Sequence, residues 1–185
     1  VSADREEQRN SVRMSVETIR PADLKHIPSF GGQADLVQVL QVLPGFVSTG
    51  DQGGQLYIRG GSPIQNKVLL DGMIVYNAFH SIGLFSVFDS DALANADVYT
   101  GAFSAKYGGR ISSVMDIKTR DGNMREQEVI LSASPFGAKI MLEGPLKKMD
   151  RNAGGISYLL SMKHSYLDQT SQFLYPYIDG GELPF

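Results

Sequence analysis

Apolar and polar residues alternate along residues 12–19, which predicts a first strand. The period then changes: Leu36, Leu40 and Leu43, with Val37 beside them, fall on one face of a helix that Asp35 opens and Pro44-Gly45 stops. Leu56 and Ile58 alternate with Tyr57 and Arg59 as in a half-buried strand. Val68-Leu69-Leu70 is a continuously apolar one, and Gly60-Gly61-Ser62-Pro63 forms the turn between them. Asp71-Gly72 reverses the chain into Met73-Ile74-Val75. Strands are also expected at 96–101 and 113–119, and a short helix at 89–94 with an acidic first turn. Beyond Gly122, Ile156, Tyr158, Leu160 and Met162 occupy one face of a strand. Ser157, Ser161, Lys163 and Ser165 occupy the other, with Leu159 the exception. A shorter strand is expected at 138–142, ending at Gly144-Pro145, with a charged turn at 147–150.

Composition narrows the class. At 42% hydrophobic residues and net charge −3, the 185-residue chain is expected to fold and to bury a core. The mild acidity gives no footprint for nucleic acid. Cysteine is absent, so disulfides and thiolate metal sites are excluded, and 20 glycines with no tryptophan suit a turn-rich β protein. No run reaches the roughly 20 apolar residues of a membrane helix. The alternation at 156–165 is that of a membrane barrel strand or of an amphipathic strand in another sheet.

Three segments together carry a family resemblance: Ile58-Arg59-Gly60, Val68-Leu69-Leu70-Asp71-Gly72 and Tyr107-Gly108-Gly109, preceded by a helix ending in Leu43-Pro44-Gly45. In order and spacing they resemble the plug domain of TonB-dependent outer-membrane receptors. Ser104-Ala105-Lys106-Tyr107-Gly108 resembles the family's turn more loosely, because Thr100-Gly101-Ala102-Phe103 stands where a Lys-Gly-Pro version is commoner. The resemblance implies an α+β fold: a plug domain with a small mixed sheet and short helices over residues 12–122. A polar arm or linker at 1–11 precedes it, and residues 123–185 follow as antiparallel strands opening an incomplete membrane β-barrel. These strands are expected to contact the plug little. Residues 169–185 are expected in an external loop.

The chemistry of enzymes is not found. His26, His80 and His164 are scattered, and none sits in a His-Glu-X-X-His pattern, so no metal is expected. Gly50-Asp51-Gln52-Gly53-Gly54 lacks a phosphate-loop lysine. Asp89-Ser90-Asp91 has no EF-hand spacing and reads as a helix cap. Ser104 has no nominated base. Neither catalysis nor a cofactor is expected.

What remains is binding. Asp51, Gln52 and Gln55 before the Ile-Arg-Gly strand, and Tyr76, Asn77, Phe79 and His80 after the Leu-Leu-Asp-Gly hairpin, lie in loops that resemble the plug's outward-facing apices. Aromatic rings beside amides and an imidazole suit a polar ligand on an apolar platform. Packing of Phe79 into the plug core is the alternative. Arg59, beside Gly60 and Gly61, resembles the family's plug arginine that engages barrel carboxylates, and Arg110 is a second candidate. A solvated charge is the other reading of Arg59. The resemblance implies a gate and ligand-capture element of an energy-coupled importer in the outer membrane of a double-membraned bacterium, with the plug inside the barrel and reachable from the periplasm. The implied partners are the rest of its own barrel, a periplasmic TonB-type energy transducer, a small or medium-sized nutrient ligand and a surface lipoprotein. A receptor-derived binding or structural module without transport is the alternative.

Overall fold

The structure, a computed structural model, describes residues 15–24, 35–49, 55–79, 86–134, 137–148 and 154–166. The arm at 1–11, residues 12–14 of the first strand, Asp51, Gln52, His26, His80, part of the charged turn and the loop at 169–185 lie outside the described residues.

The strands, in chain order, are β1 (Val16–Ile19), β2 (Phe46–Thr49), β3 (Gln55–Ile58), β4 (Asn66–Leu70), β5 (Met73–Ile74), β6 (Leu93–Tyr99), β7 (Ser113–Thr119), β8 (Glu128–Ser134), β9 (Gly137–Lys147) and β10 (Ile156–Ser165). Five of them form one sheet in the order β1-β6-β7-β4-β5. It is mixed, because β4 runs parallel to β7, with Val68 opposite Met115 and Leu70 opposite Ile117. The other neighbours in that sheet are antiparallel. The fold class expected from the sequence, a small mixed sheet with short helices followed by antiparallel strands, is the one observed.

Strand β7 is central and buried from Ser113 to Ile117, because both faces of the sheet are covered. On one face Ala96, Val98, Met115 and Ile117 meet Leu36, Val39 and Leu40 of the helix α2 (Leu36–Val42), which follows a single turn, α1 (Pro21–Leu24). On the other, Leu69, Tyr99, Tyr107 and Val114 form a second, smaller cluster. The i, i+4 spacing of Leu36 and Leu40 produces the packing face of α2, and Asp35 caps it by accepting from Val37 N–H at 2.9 Å.

The strands either side of Gly60-Gly61 are joined by the expected turn but do not pair with each other. β3 pairs with β2 in a separate ribbon, while β4 enters the five-stranded sheet, so the turn carries the chain from one sheet to another. Gly61 permits this, since a Cβ there stands 2.0 Å from Ser112 Oγ. The short helix expected at 89–94 is a single 3-10 turn, Ser90–Ala92, and β6 begins already at Leu93. β9 does not stop at Gly144-Pro145 but continues to Lys147. Pro145 lies opposite Ser157 beside a register shift, where a missing ladder donor is tolerated.

A further correction concerns the last strands. β8, β9 and β10 form an antiparallel sheet whose side chains are tied by ion pairs to Arg120 after β7, to Asp89 and to Asp35, where little contact is expected from the sequence. Their opposite face is apolar and open, with Val129 62%, Leu131 72%, Leu160 56% and Met162 63% exposed.

Two substitutions test this packing. Leu40→Ala leaves a cavity under the sheet and should cost about 2–5 kcal/mol. Gly122→Ala places a Cβ 2.1 Å from the Tyr158 carbonyl oxygen, and should cost about 1–3 kcal/mol through overpacking. Denaturant unfolding followed by circular dichroism reads both. Wild-type midpoints in either variant contradict the packing described.

Candidate functional site

On their inward faces β9 carries Lys139 and Glu143 and β10 carries Lys163, and each of the three meets an opposite charge outside the three-stranded sheet. The Arg120 guanidinium grips Glu143 with two hydrogen bonds, at 2.6 and 2.7 Å. Its Nε donates to the Asp91 carbonyl at 2.6 Å, and Glu143 also accepts from Asn123 N–H at 2.8 Å. Lys139 Nζ lies between two carboxylates of the turn before β6, Asp89 at 3.0 Å and Asp91 at 2.5 Å. Ser161 Oγ donates to Asp89 as well. Lys163 Nζ donates to the Ser86 carbonyl at 3.1 Å and stands 3.4 Å from Asp35. Glu143 is 2% exposed and Asp35 3%, so these carboxylates are withdrawn from water, while Arg120, Asp91 and Lys163 keep part of their surface in it.

The 3-10 turn at Ser90–Ala92 is where the five-stranded sheet's connections meet β9 and β10. Asp89 caps it, accepting from Asp91 N–H at 3.1 Å, as the sequence predicts of this acidic group. Burial opposes ionisation of Asp89, but the hydrogen bonds from Ser161 and Lys139 and the lysine's charge outweigh it, holding its carboxyl below the usual range. Asp71, at the turn before β5, accepts from the hydroxyl of Thr119 at 2.7 Å and its N–H at 3.1 Å. These bonds hold it low in the same way.

At the other end of the sheet lies an open cleft of about 600 Å³. Tyr76, Asn77 and Phe79 line one side, and Ile64, Lys67 and Arg110 contribute to the rest. Tyr76 is 81% exposed, whereas Phe79 is partly buried against the core and bridges to Ser86, so its ring serves core and cleft together. The Tyr107-Gly108-Gly109 turn closes one edge. Tyr107 is buried and donates to Asp116 at 2.7 Å, with its phenol pushed well above its ordinary pKa by burial, by Tyr99 and by Asp116. Gly109 has φ +90°, which favours glycine there.

Arg59 lies apart from both places. It follows β3 at φ 49°, a left-handed conformation, and its N–H donates to the Gly45 carbonyl at 2.8 Å. Its exposed side chain runs along Gly45 and Gly101, where Cβ atoms would stand 3.3 Å from Cγ and 3.5 Å from Nη1. Among the described residues neither Arg59 nor Arg110 forms an ion pair. The structure therefore brings Tyr76, Asn77, Phe79 and Arg110 to one cleft and leaves Arg59, Gly60 and Gly61 outside its lining. Gln55 is placed only as the first residue of β3. Of the residues that tie the last strands to the rest, the sequence reads Asp35 and Asp89 only as helix caps and Lys163 only as a polar strand position, and it does not single out Arg120, Lys139 or Glu143. Their charges on otherwise alternating strands were the available signal. No group of carboxylates and histidines able to hold a metal occurs among the described residues.

Residues 8–114 match the family model of the TonB-dependent Receptor Plug Domain. A search of curated proteins gives no match. Among solved structures, the outer membrane transporter YddB from Escherichia coli is similar over 82% of this chain and 26% of its own, with TM-score 0.55 and 16% identity. The siderophore receptor PirA from Pseudomonas aeruginosa is similar over 82% and 27%, with TM-score 0.52 and 22% identity. A mutant of the ferric enterobactin receptor PfeA from the same organism is similar over 77% and 24%, with TM-score 0.52 and 22% identity. At these identities the likeness is one of fold, and the chain spans about a quarter of the length of each.

The seam makes two predictions. Arg120→Met leaves Glu143 buried without its main partner and should destabilise by roughly 3–5 kcal/mol, whereas Arg120→Met with Glu143→Leu should recover most of that loss. A double-mutant cycle in denaturant measures both. Additive losses contradict a coupled pair. The second is a pH dependence. Because Asp89 and Asp71 are held below their unfolded value of about 3.9, the stability they contribute is present above that pH. It is lost as pH falls through their lower folded values. Asp89→Asn should therefore unfold at lower temperature than wild type near neutral pH, with the gap closing below about pH 4. A gap that stays constant through that range contradicts the assignment.

Proposed function

The chain belongs to the TonB-dependent receptor plug family, and from that membership we propose that it is the gate and ligand-capture part of an energy-coupled outer-membrane importer. The observation that carries the reading is the pairing of two surfaces. One face of the β8-β9-β10 sheet is charged and fastened to the plug, and the other is apolar and exposed, as in a strand set with lipid on one side and a plug on the other. Residues 12–122 are assigned to the plug and 123–185 to the opening of the barrel. The protein then sits in the outer membrane of a double-membraned bacterium, with its plug inside the barrel and reachable from the periplasm. Its partners are the remaining barrel strands, a TonB-type transducer, a nutrient ligand and a surface lipoprotein. Binding and gating, with energy supplied from outside, take the place of catalysis. The fold-sharing structures named for a siderophore, for ferric enterobactin and for outer-membrane transport support the class.

Capture is assigned to the cleft. Tyr76 offers an exposed ring, Asn77 an amide, and Phe79 a partly buried platform. Replacing Tyr76, Phe79 and His80 together by Ala in the complete protein should weaken ligand affinity, and unchanged affinity removes them from the site. For the gate, cells carrying the complete protein should bind ligand with or without a working energy transducer but accumulate it only with one. Accumulation without the transducer contradicts energy coupling. Arg59 is assigned to locking the plug against barrel carboxylates. Arg59→Ala should then speed hydrogen exchange of plug amides in the complete receptor and change little in this chain alone. Equal, small changes in both return Arg59 to a solvated charge.

A further inference from the structure

We propose that the cleft takes an anionic solute, with Lys67 and Arg110 binding its negative groups and Tyr76 and Ile64 covering its apolar body. The inference rests on the reading of the cleft as the capture site and adds the chemical class of what is captured.

The first observation is the sign of the lining. The chain carries 20 acidic against 17 basic side chains, yet among the described residues the cleft is lined by Lys67 and Arg110 and by no aspartate or glutamate. The second is how those cations are held. Elsewhere Arg120, Lys118, Lys139 and Lys163 stand against carboxylates. Lys67 instead donates to the Gly108 carbonyl at 2.9 Å, and Arg110 to the Gly109 carbonyl at 3.2 Å. A carbonyl oxygen orients a cation without neutralising it, so both charges stand uncompensated among the described residues. Donors are also left over among the described residues: an ammonium has three N–H groups and a guanidinium five, and each uses one here. A free guanidinium fork suits a carboxylate or phosphate bidentately.

The third observation is rigidity. Both anchoring carbonyls belong to one turn, which Tyr107 fixes to β7 through its hydrogen bond to Asp116. The cations are thus positioned before a ligand arrives, which lowers the ordering cost of binding. Finally, Tyr76 at 81% and Ile64 at 79% are the most exposed large apolar side chains described, and both line the cleft. Its volume of about 600 Å³ suits a compact organic anion rather than a bare ion.

The test uses a matched probe pair, benzene-1,3,5-tricarboxylate and its uncharged analogue benzene-1,3,5-tricarboxamide, titrated calorimetrically into the complete detergent-solubilised protein. The tricarboxylate should bind at least tenfold more tightly than the tricarboxamide, with affinity falling as salt rises. The combined variant K67Q/R110Q should lose at least tenfold in tricarboxylate affinity, and K67R/R110K should retain it, which separates lost charge from lost folding. Tyr76→Ala should weaken both probes. Equal binding of the two probes, sensitive to Tyr76→Ala but not to K67Q/R110Q, overturns the anionic class and leaves the capture site standing. Binding of neither probe, or binding indifferent to all these variants, overturns both. A lower melting temperature in K67Q/R110Q with unchanged tricarboxylate affinity overturns the inference, and assigns the two cations to holding the fold.

Discussion

The arrangement of plug and strands depends on one ion pair, its carboxylate buried and its guanidinium partly exposed. Arg120 leaves the end of β7 and meets Glu143 on β9 fork to fork, while its Nε and backbone N–H grip the carbonyls of Asp91 and Ala92. Desolvating both charges offsets much of their attraction, so the pair adds little net stability over an apolar contact of the same shape. What it supplies is position. A bidentate contact has one geometry, and every group around it is satisfied only when β9 lies at one height along the plug.

From that contact the rest of the seam follows. With β9 fixed, Lys139, four residues before Glu143 on the same face, reaches Asp89 and Asp91. With β10 paired to β9 in register, Ser161 reaches Asp89 and Lys163 reaches Asp35 at the start of α2. The same alternation turns Leu131, Leu160 and Met162 outward. A charged seam also suits a surface that has to part. Separated carboxylates and cations regain hydration, whereas an apolar interface of equal area loses its burial without compensation.

Much of this is legible in the sequence because period reports burial. The alternation at 156–165 and the i, i+4 leucines of α2 each reproduce a face that the fold buries or presents, whereas β7 is covered on both faces and its pattern reports only a strand. Pattern alone does not report partners. Nothing local distinguishes β3 paired with β2 from β3 paired with β4, because that choice is made by the turn at Gly60-Gly61 and its close approach to Ser112. β8 escapes because Val129-Ile130-Leu131 is a continuous apolar run that hides its alternation. The seam escapes because its charges meet across 23, 48, 50 and 128 residues of chain. Asp89-Ser90-Asp91 reads correctly as a cap, but its second role needs Lys139, which only folding brings near. Of the candidate capture residues, Tyr76, Asn77 and Phe79 are adjacent in sequence and so share the cleft, while the contribution of Lys67 depends on where Gly108 falls.

The most direct test severs the only covalent path between the two parts. Residues 124–127 lie in an exposed turn between β7 and β8, outside both sheets, so a specific protease site can replace them. If the charged seam fastens the plug to the strands, the cleaved halves of the detergent-solubilised chain remain together on size exclusion near neutral pH. They separate when Glu143→Gln and Lys139→Gln are introduced. Release of the plug on cleavage with the seam intact contradicts the account.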